Sequence, residues 1–320
     1  MKEIRFGIMG AGAIAGKFVQ AAEATEGARV TAVSSKSMDR AGAFAERNGI
    51  PWYGSYADML AREDVDAVYI ATTHNFHKEN LRMCIEAGKH VLCEKAMLLT
   101  EADAKEIFAL AAEKGVFCME AMWSRFLPTM TKAKQWIAEG RIGQIQSATA
   151  VIGFHPQFSP ESRLYNPALA GGAMYDIGVY PIEWVSWLVG EPIEDCVFFR
   201  RDNPVTGVDE NVAFLLRFPS CDASIQCMFT ASPKEFVLVH GSEGYIELPC
   251  LNGDRRAMLY DTNRRLVETY TMEEANGFIY ELEEMLCCIR DGKITSDRMP
   301  PEVTIECARV FDRVLGTKCK

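Results

Sequence analysis

The chain reads as an α/β protein in two parts. A doubly wound parallel sheet comes first, and an α+β part with a large, mostly antiparallel open sheet follows. Three observations predict this. Short apolar runs alternate with amphipathic helical patterns from Ile4 to Ala121. A glycine turn, "MGAGAIAG", follows the first run. Beyond Gly140 the alternation gives way to longer strand-like stretches divided by turn signals such as "PSCD", "GSEG" and "LNGD".

The apolar runs are "IRFGIM", "ARVTAVSS", "PWYGS", "DAVYIAT", "KHVLCEK" and "GVFCME". Helical periodicity lies between them near Ala13–Ala24, Ser37–Arg47, Ser55–Arg62, Phe76–Ala87 and Thr100–Glu113. Parallel neighbours need a crossover, which a helix supplies. Near-continuous apolar strands fit a sheet covered on both faces. After a helix over Thr129–Gly140, the stretches "IQSATAVIGF", "CVFFRRD", "NVAFLLRF", "ASIQCMFT", "EFVLVHG" and "YIEL" alternate like half-buried antiparallel strands. Helices are expected near Asp176–Leu188 and Gly277–Arg290, and a last one over Pro301–Leu315 is free to pack on either part. Composition changes near Met122–Arg125. The expected division is therefore a dinucleotide-binding domain over residues 1–122 and a substrate-binding, dimerising domain over 123–320.

A length of 320 residues suffices for two buried cores, and 48% hydrophobic with 24% charged residues is a globular balance. The net charge of −10 gives a nucleic-acid partner little support. No apolar run approaches the ~20 residues of a membrane span. The first strand begins within a few residues of Met1, leaving no room for a signal peptide. The eleven cysteines show no zinc or disulfide framework. Reduced thiols, a cytoplasmic location and no membrane are expected.

Gly10, Gly12 and Ala15 form a G-x-G-x-x-A turn between the first strand and first helix. The first glycine permits the turn, the second lets backbone approach a pyrophosphate, and the small third residue allows close helix packing. Ala13 and Ile14, at the helix start, offer N–H groups to phosphate. A tight turn with no ligand is the plainer alternative. At the end of the second strand, where an NAD-preferring sheet usually carries a carboxylate, the chain has Ser34, Ser35 and Lys36, with Arg40 one turn on. Hydroxyls and cations favour the 2′-phosphate of NADP(H); NAD(H) stays open, since Lys36 and Arg40 also fit a solvated surface.

Glu94 and Lys95 fall at the carboxyl end of the fifth strand, where ligands of such sheets bind. A lysine there can set its ammonium beside a nicotinamide and a substrate oxygen, and Glu94 can accept from a ribose. The alternative is a surface ion pair. In "AGGAMYDIGVYPIEW", Asp176 and Tyr180 lie four apart on one helical face. A tyrosine near a cation can take a proton from an alcohol, while a core aromatic is the competing reading.

The segments "GIMGAGAIA", "HNFHKENLRMCIEAGKHVLCEKA", "EAMWSRFLP" and "AGGAMYDIGVYPIEW" occur in the order of one family. Along nearly its full length the chain resembles the glucose-fructose oxidoreductase and inositol dehydrogenase (Gfo/Idh/MocA) family. It looks most like the branch of dimeric dihydrodiol dehydrogenases and NADP-dependent D-xylose 1-dehydrogenases. The resemblance implies a Rossmann domain, Lys95 as the lysine of the E-K-P motif, Tyr180 as acid/base and Asp176 shaping the substrate site. It further implies that Thr72, Thr73, His74, Asn75 and His77 line the cofactor. Trp123 and Arg125 would approach its nicotinamide end, and Asn166 would face the substrate. A metal at His74 and His77 lacks further ligands nearby. Two prolines of the family pattern are replaced, by Thr73 and Ala96, so both loops are expected to be less constrained. Alanine argues against a cis peptide before position 96.

The resulting expectation is an NADP(H)-dependent oxidoreductase acting on a carbohydrate or cyclic diol, homodimeric through the second sheet. The alternatives are a same-fold reductase for another keto-sugar or an inositol, and a non-catalytic nucleotide-binding regulator.

Overall fold

The computed structural model describes residues 3–249, 254–273 and 276–316. They group into two compact units, Met1–Trp123 with Asn276–Ile305, and Ser124–Ala275 with Glu306–Lys320.

The first unit is the doubly wound sheet. Its elements run β1 (Ile4–Met9), α1 (Ala13–Ala24), β2 (Ala28–Ser34), α2 (Met38–Arg47), β3 (Tyr53–Gly54), α3 (Tyr56–Leu60), β4 (Ala67–Ile70), α4 (His77–Glu86), β5 (His90–Glu94), α5 (Glu101–Lys114) and β6 (Cys118–Ala121). The order is β3-β2-β1-β4-β5-β6, with parallel pairs throughout. Strand order reverses between β1 and β4, which opens a crevice at their carboxyl ends. The central strands are buried on both faces, so "AVYI" and "HVLCE" read as runs rather than alternations. Helix boundaries follow local chemistry: Ser37, Ser55 and Thr100 cap α2, α3 and α5 by accepting from the N–H three residues on.

The second unit carries α6 (Pro128–Ala138), β7 (Ile145–Gly153), a π-helical turn (Met174–Gly178), α7 (Val179–Val189) and seven further strands. These are β8 (Asp195–Asp202), β9 (Asp209–Arg217), β10 (Asp222–Met228), β11 (Phe236–Gly241), β12 (Gly244–Pro249), β13 (Arg256–Asp261) and β14 (Leu266–Thr271). The sheet order is β14-β13-β12-β11-β7-β10-β9-β8, antiparallel except between β7 and β10. One face is buried across the register: Cys196, Leu216, Ala223, Ala148, Val239 and Ile246. β13 and β14 were not expected from the sequence, because the apolar run of β13 is short and bounded by charges, and Glu268, Thr269 and Thr271 break that of the edge strand β14.

The last helices are α8 (Phe278–Arg290) and α9 (Pro301–Leu315). The expected division is 1–122 and 123–320, with the last helix free to pack on either part; the structure also groups α8 with the first unit. α8 packs on α1 in the first unit, where the Asn276 side chain donates to the Lys17 carbonyl and Arg290 to that of Glu26. The start of α9 belongs to the first unit, with the Thr304 hydroxyl donating to Glu120 at 2.7 Å. Its remainder belongs to the second, where Glu306 accepts the Ile193 N–H and Arg200 donates to the Val314 and Leu315 carbonyls. Among the described residues no helix is long and apolar enough to cross a membrane.

Candidate active site

The glycine turn sits at the switch point. Gly10 has φ +106, and a Cβ there would lie 2.6 Å from the Ala71 carbonyl oxygen, so glycine is required by the approach of β4. Gly12 differs. It caps α1 with φ −98, a conformation open to any residue, and a Cβ there would meet no protein atom within 4 Å. No side chain caps α1 and no acid lies in its first turn, so the N–H groups starting at Ala13 and Ile14 face open space with the helix dipole behind them. Ala15 is fully buried, as close helix–strand packing demands. This cradle fits a dinucleotide pyrophosphate.

At the end of β2 the Ser34 hydroxyl turns inward to the Ile8 carbonyl. Ser35 is half-buried and accepts the Ser37 N–H. Lys36 and Arg40 are exposed, and the Lys36 ammonium lies 3.2 Å from the centre of the Phe76 ring.

After β4, Thr73 donates to the Asn75 side chain at 2.7 Å, Asn80 donates to the Thr72 hydroxyl, and His74 Nε2 lies 3.2 Å from the Lys95 carbonyl oxygen. His77 is fully buried, with Nε2 at 3.0 Å from the Thr72 carbonyl and Nδ1 at 3.0 Å from that of Ala96. It therefore ties the two loops together instead of lining an open cleft. The Lys95–Ala96 peptide is cis, also contrary to expectation. His74 Nε2 approaches the carbonyl of that peptide and His77 Nδ1 the next one, while Glu120 accepts the Met97 N–H at 2.9 Å.

Lys95 is half-buried at the end of β5. Glu94, expected to open toward a ribose, has only 6% of its surface exposed and accepts the Tyr69 hydroxyl. The cause is strand alternation within a sheet covered on both sides. Glu281 of α8 is fully buried in the same unit, and neither of its carboxyl oxygens has a hydrogen-bond partner among the described residues. Burial raises the pKa of both carboxyls, Glu281 strongly, and the charge of Glu94 adds to the rise at Glu281. Trp123 stacks on Phe278 with centroids 6.1 Å apart.

In the second unit Asp176 is 5% exposed, and Arg163 Nη1 lies 2.7 Å from its Oδ1. Tyr180 is 9% exposed and tilts against Trp184, with centroids 5.7 Å apart. The π-helical turn precedes α7, so Asp176 and Tyr180 ride on one continuous helical segment. Asn166 turns its side-chain oxygen to the Ala168 N–H at 2.9 Å, capping a short 3₁₀ turn. Arg125 is 4% exposed. It pairs with the buried Glu183 at 3.1 Å and lies over Trp187. Tyr69, Glu281, Arg163 and Glu183 were not singled out in the sequence. A carboxylate at a core position of a helix, as in Glu281 and Glu183, is the signal that marks two of them.

A parallel sheet in this strand order, with a glycine turn at its switch point and a lysine at a neighbouring strand end, defines a dinucleotide-binding α/β protein. The comparisons with known proteins agree. Residues 4–122 match the oxidoreductase family with an NAD-binding Rossmann fold, and residues 130–247 match the GFO/IDH/MocA C-terminal domain. The chain belongs to the GFO/IDH/MocA family of oxidoreductases. It is 32% identical over 309 residues to trans-1,2-dihydrobenzene-1,2-diol dehydrogenase of Mus musculus, covering 93% of this chain and 91% of that one. It is 31% identical to D-xylose 1-dehydrogenase (NADP(+)) of Hypocrea jecorina, covering 98% and 91%. The crystal structure of a 3-ketoreductase from Actinomadura kijaniata with NADP and TDP-benzene is 27% identical, with TM-score 0.86 and 98% of both chains covered. An aldose-aldose oxidoreductase from Caulobacter crescentus, 24% identical with TM-score 0.88 over 98% of this chain and 97% of that one, shares the fold.

Proposed function

We propose that the protein is an NADP(H)-dependent oxidoreductase interconverting an alcohol and a carbonyl on a sugar or cyclic diol. Membership of an NAD-binding oxidoreductase family carries the reaction class, and the open cradle at Gly12 carries the dinucleotide. The preference for NADP(H) rests on Ser35, Lys36 and Arg40 without a carboxylate at the end of β2, and on relatives that use or bind NADP. NAD(H) is the cofactor these residues favour less.

When bound, the nicotinamide accepts or donates the hydride. The chain's own part is proton handling and charge. Tyr180 takes the hydroxyl proton in the oxidative direction and returns it in the reductive one. Lys95 holds positive charge toward the developing oxyanion and the tyrosinate. Asp176, paired with Arg163, receives a substrate hydroxyl. Thr72, Thr73, His74 and Asn75 shape the cofactor loop, and Asn166 lies at the substrate side. The roles of Glu94, His77 and Arg125 are structural. For an aldopyranose the oxidised carbon is C1 and the product a lactone. Similarity to a 3-ketoreductase favours a second reading, reduction of a keto-sugar by the same residues.

The exposed face of the second sheet carries Val197 at 57%, Phe199 at 82% and Leu215 at 52% exposure, with Val197 directly opposite Leu215. Apolar area of this kind favours a homodimer through that face, and light scattering returning a monomer would end that claim. The described cysteines form no disulfide, which suits a cytoplasmic location.

The test is reduction of NADP⁺ over a panel of aldoses, inositols and a trans-dihydrodiol, with NAD⁺ in parallel. Turnover with one of them, faster with NADP⁺, is the expected result. Tight NADPH binding with no turnover across the panel, in either direction, contradicts it.

A further inference from the structure

The turn that carries Asp176 and leads to Tyr180 is pinned by a buried carboxyl on a neighbouring strand. Asp209, the first residue of β9, is 4% exposed, and its Oδ2 accepts the Met174 N–H at 2.7 Å. Met174 opens the π-helical turn, so its N–H is among the donors that a helix start leaves without an intrahelical partner. Gly172, two residues earlier, has φ +125, and any Cβ there would run into Asp209 Oδ1. The far end of the turn is equally tight. A Cβ on Gly178 would stand 3.0 Å from Met174 Sδ and 3.2 Å from Cys227 Sγ. The turn is thus fixed at its start by one charge and at its end by packing on β10.

We propose that Asp209 is a positioning residue, whose carboxylate fixes the first N–H of the π-helical turn and thereby the placement of Asp176 and Tyr180. The proposal rests on the catalytic reading of those two residues given above. A carboxylate makes a shorter and stronger bond to an N–H than a neutral acid does, and a helix start favours negative charge. The groups facing Asp209 are few: Arg200 and Asp202 on β8, Tyr175 on the turn, and Cys227 on β10. Burial pushes the Asp209 carboxyl up to about 6, against the pull of the Met174 N–H and Arg200, and Asp202 adds to the rise. The carboxylate is therefore present above that pH and lost below it, within the working range of an enzyme.

Two variants separate the roles. Asp209→Asn keeps an oxygen for the Met174 N–H and removes the charge; Asp209→Ala removes both. The first readout is amide hydrogen exchange over residues 173–180 in the protein alone, from about pH 5 to about pH 8. Corrected for intrinsic rates, protection in the native protein should rise through pH 6, stay flat in Asp209→Asn and be lost in Asp209→Ala. The second is the pH profile of kcat on whichever substrate turns over. An acid limb near pH 6 should vanish in Asp209→Asn, with kcat at its plateau roughly tenfold lower and NADPH affinity unchanged. Exchange that ignores both pH and substitution, or an acid limb that survives in Asp209→Asn, would overturn the proposal. A native protein inactive on every substrate would instead sink the functional reading, and the exchange data would still decide the clamp.

Discussion

The Nδ1 of His77 lies 3.0 Å from the carbonyl oxygen of Ala96, and the same ring reaches the Thr72 carbonyl with Nε2, also at 3.0 Å. One buried imidazole thus packs between the loop after β4 and the loop that follows Lys95, and as a neutral ring it donates to one of the two carbonyls. Burial lowers the His77 pKa below the ordinary value of 6.5. With the folded pKa depressed, the unfolded chain binds the extra proton first. This residue's contribution to stability is therefore complete above pH 6.5 and is lost as pH falls through its folded pKa. His77→Gln should flatten that acid loss in denaturant titrations and cost roughly 1–3 kcal/mol at neutral pH. An unchanged pH dependence would show that the ring does not carry the effect.

The two glycines of the first turn should behave oppositely. Gly10→Ala meets the Ala71 carbonyl at 2.6 Å and a φ of +106, so it should lower the melting temperature. Gly12→Val adds its side chain to open space and should leave melting nearly unchanged while abolishing NADPH binding. Fluorescence titration beside thermal denaturation reads both. A Gly12→Val variant that binds NADPH normally would place the pyrophosphate elsewhere.

Cofactor choice turns on the end of β2. Ser35→Asp puts a carboxylate beside Lys36, repelling a 2′-phosphate and offering an acceptor to a ribose hydroxyl. NADPH affinity should fall at least about tenfold, with NADH affinity equal or better. Titrations of both nucleotides decide it, and parallel losses for the two would argue that the site is elsewhere.

Glu281 is a buried acid whose oxygens lack partners among the described residues. Its folded pKa is raised well above 4.5, so its ionisation opposes folding, and stability falls as pH rises above that value. Glu281→Met should raise stability at neutral pH by about 1–3 kcal/mol and shrink this fall, part of which Glu94 retains. Denaturant midpoints across pH measure it; a destabilised variant would reveal a partner for the carboxyl.

The sequence made the parallel sheet legible because its βα steps carry local marks: an apolar run, then an amphipathic helix, with a side-chain cap at α2, α3 and α5. Lys95 and Tyr180 stand out in the sequence because motifs travel with them. What stayed hidden depends on contacts between distant residues. Glu94 looks open until Tyr69, 25 positions away, is seen to claim it. His77 looks like a cofactor ligand until both its nitrogens are found on carbonyls. Asp209 reads as a strand-start acid, and only its partner Met174, 35 residues earlier, gives it a role. The short run of β13 and the exposed edge strand β14 lack the periodicity that marks strands with one buried face.

The central claim is that Lys95 and Tyr180 perform the chemistry while the glycine turn holds the cofactor. Its most direct test compares Lys95→Ala and Tyr180→Phe with the native protein, using the first substrate that turns over. Each variant should lose kcat by roughly a hundredfold or more, with NADPH affinity within about twofold of native. Native turnover in either variant would contradict the account.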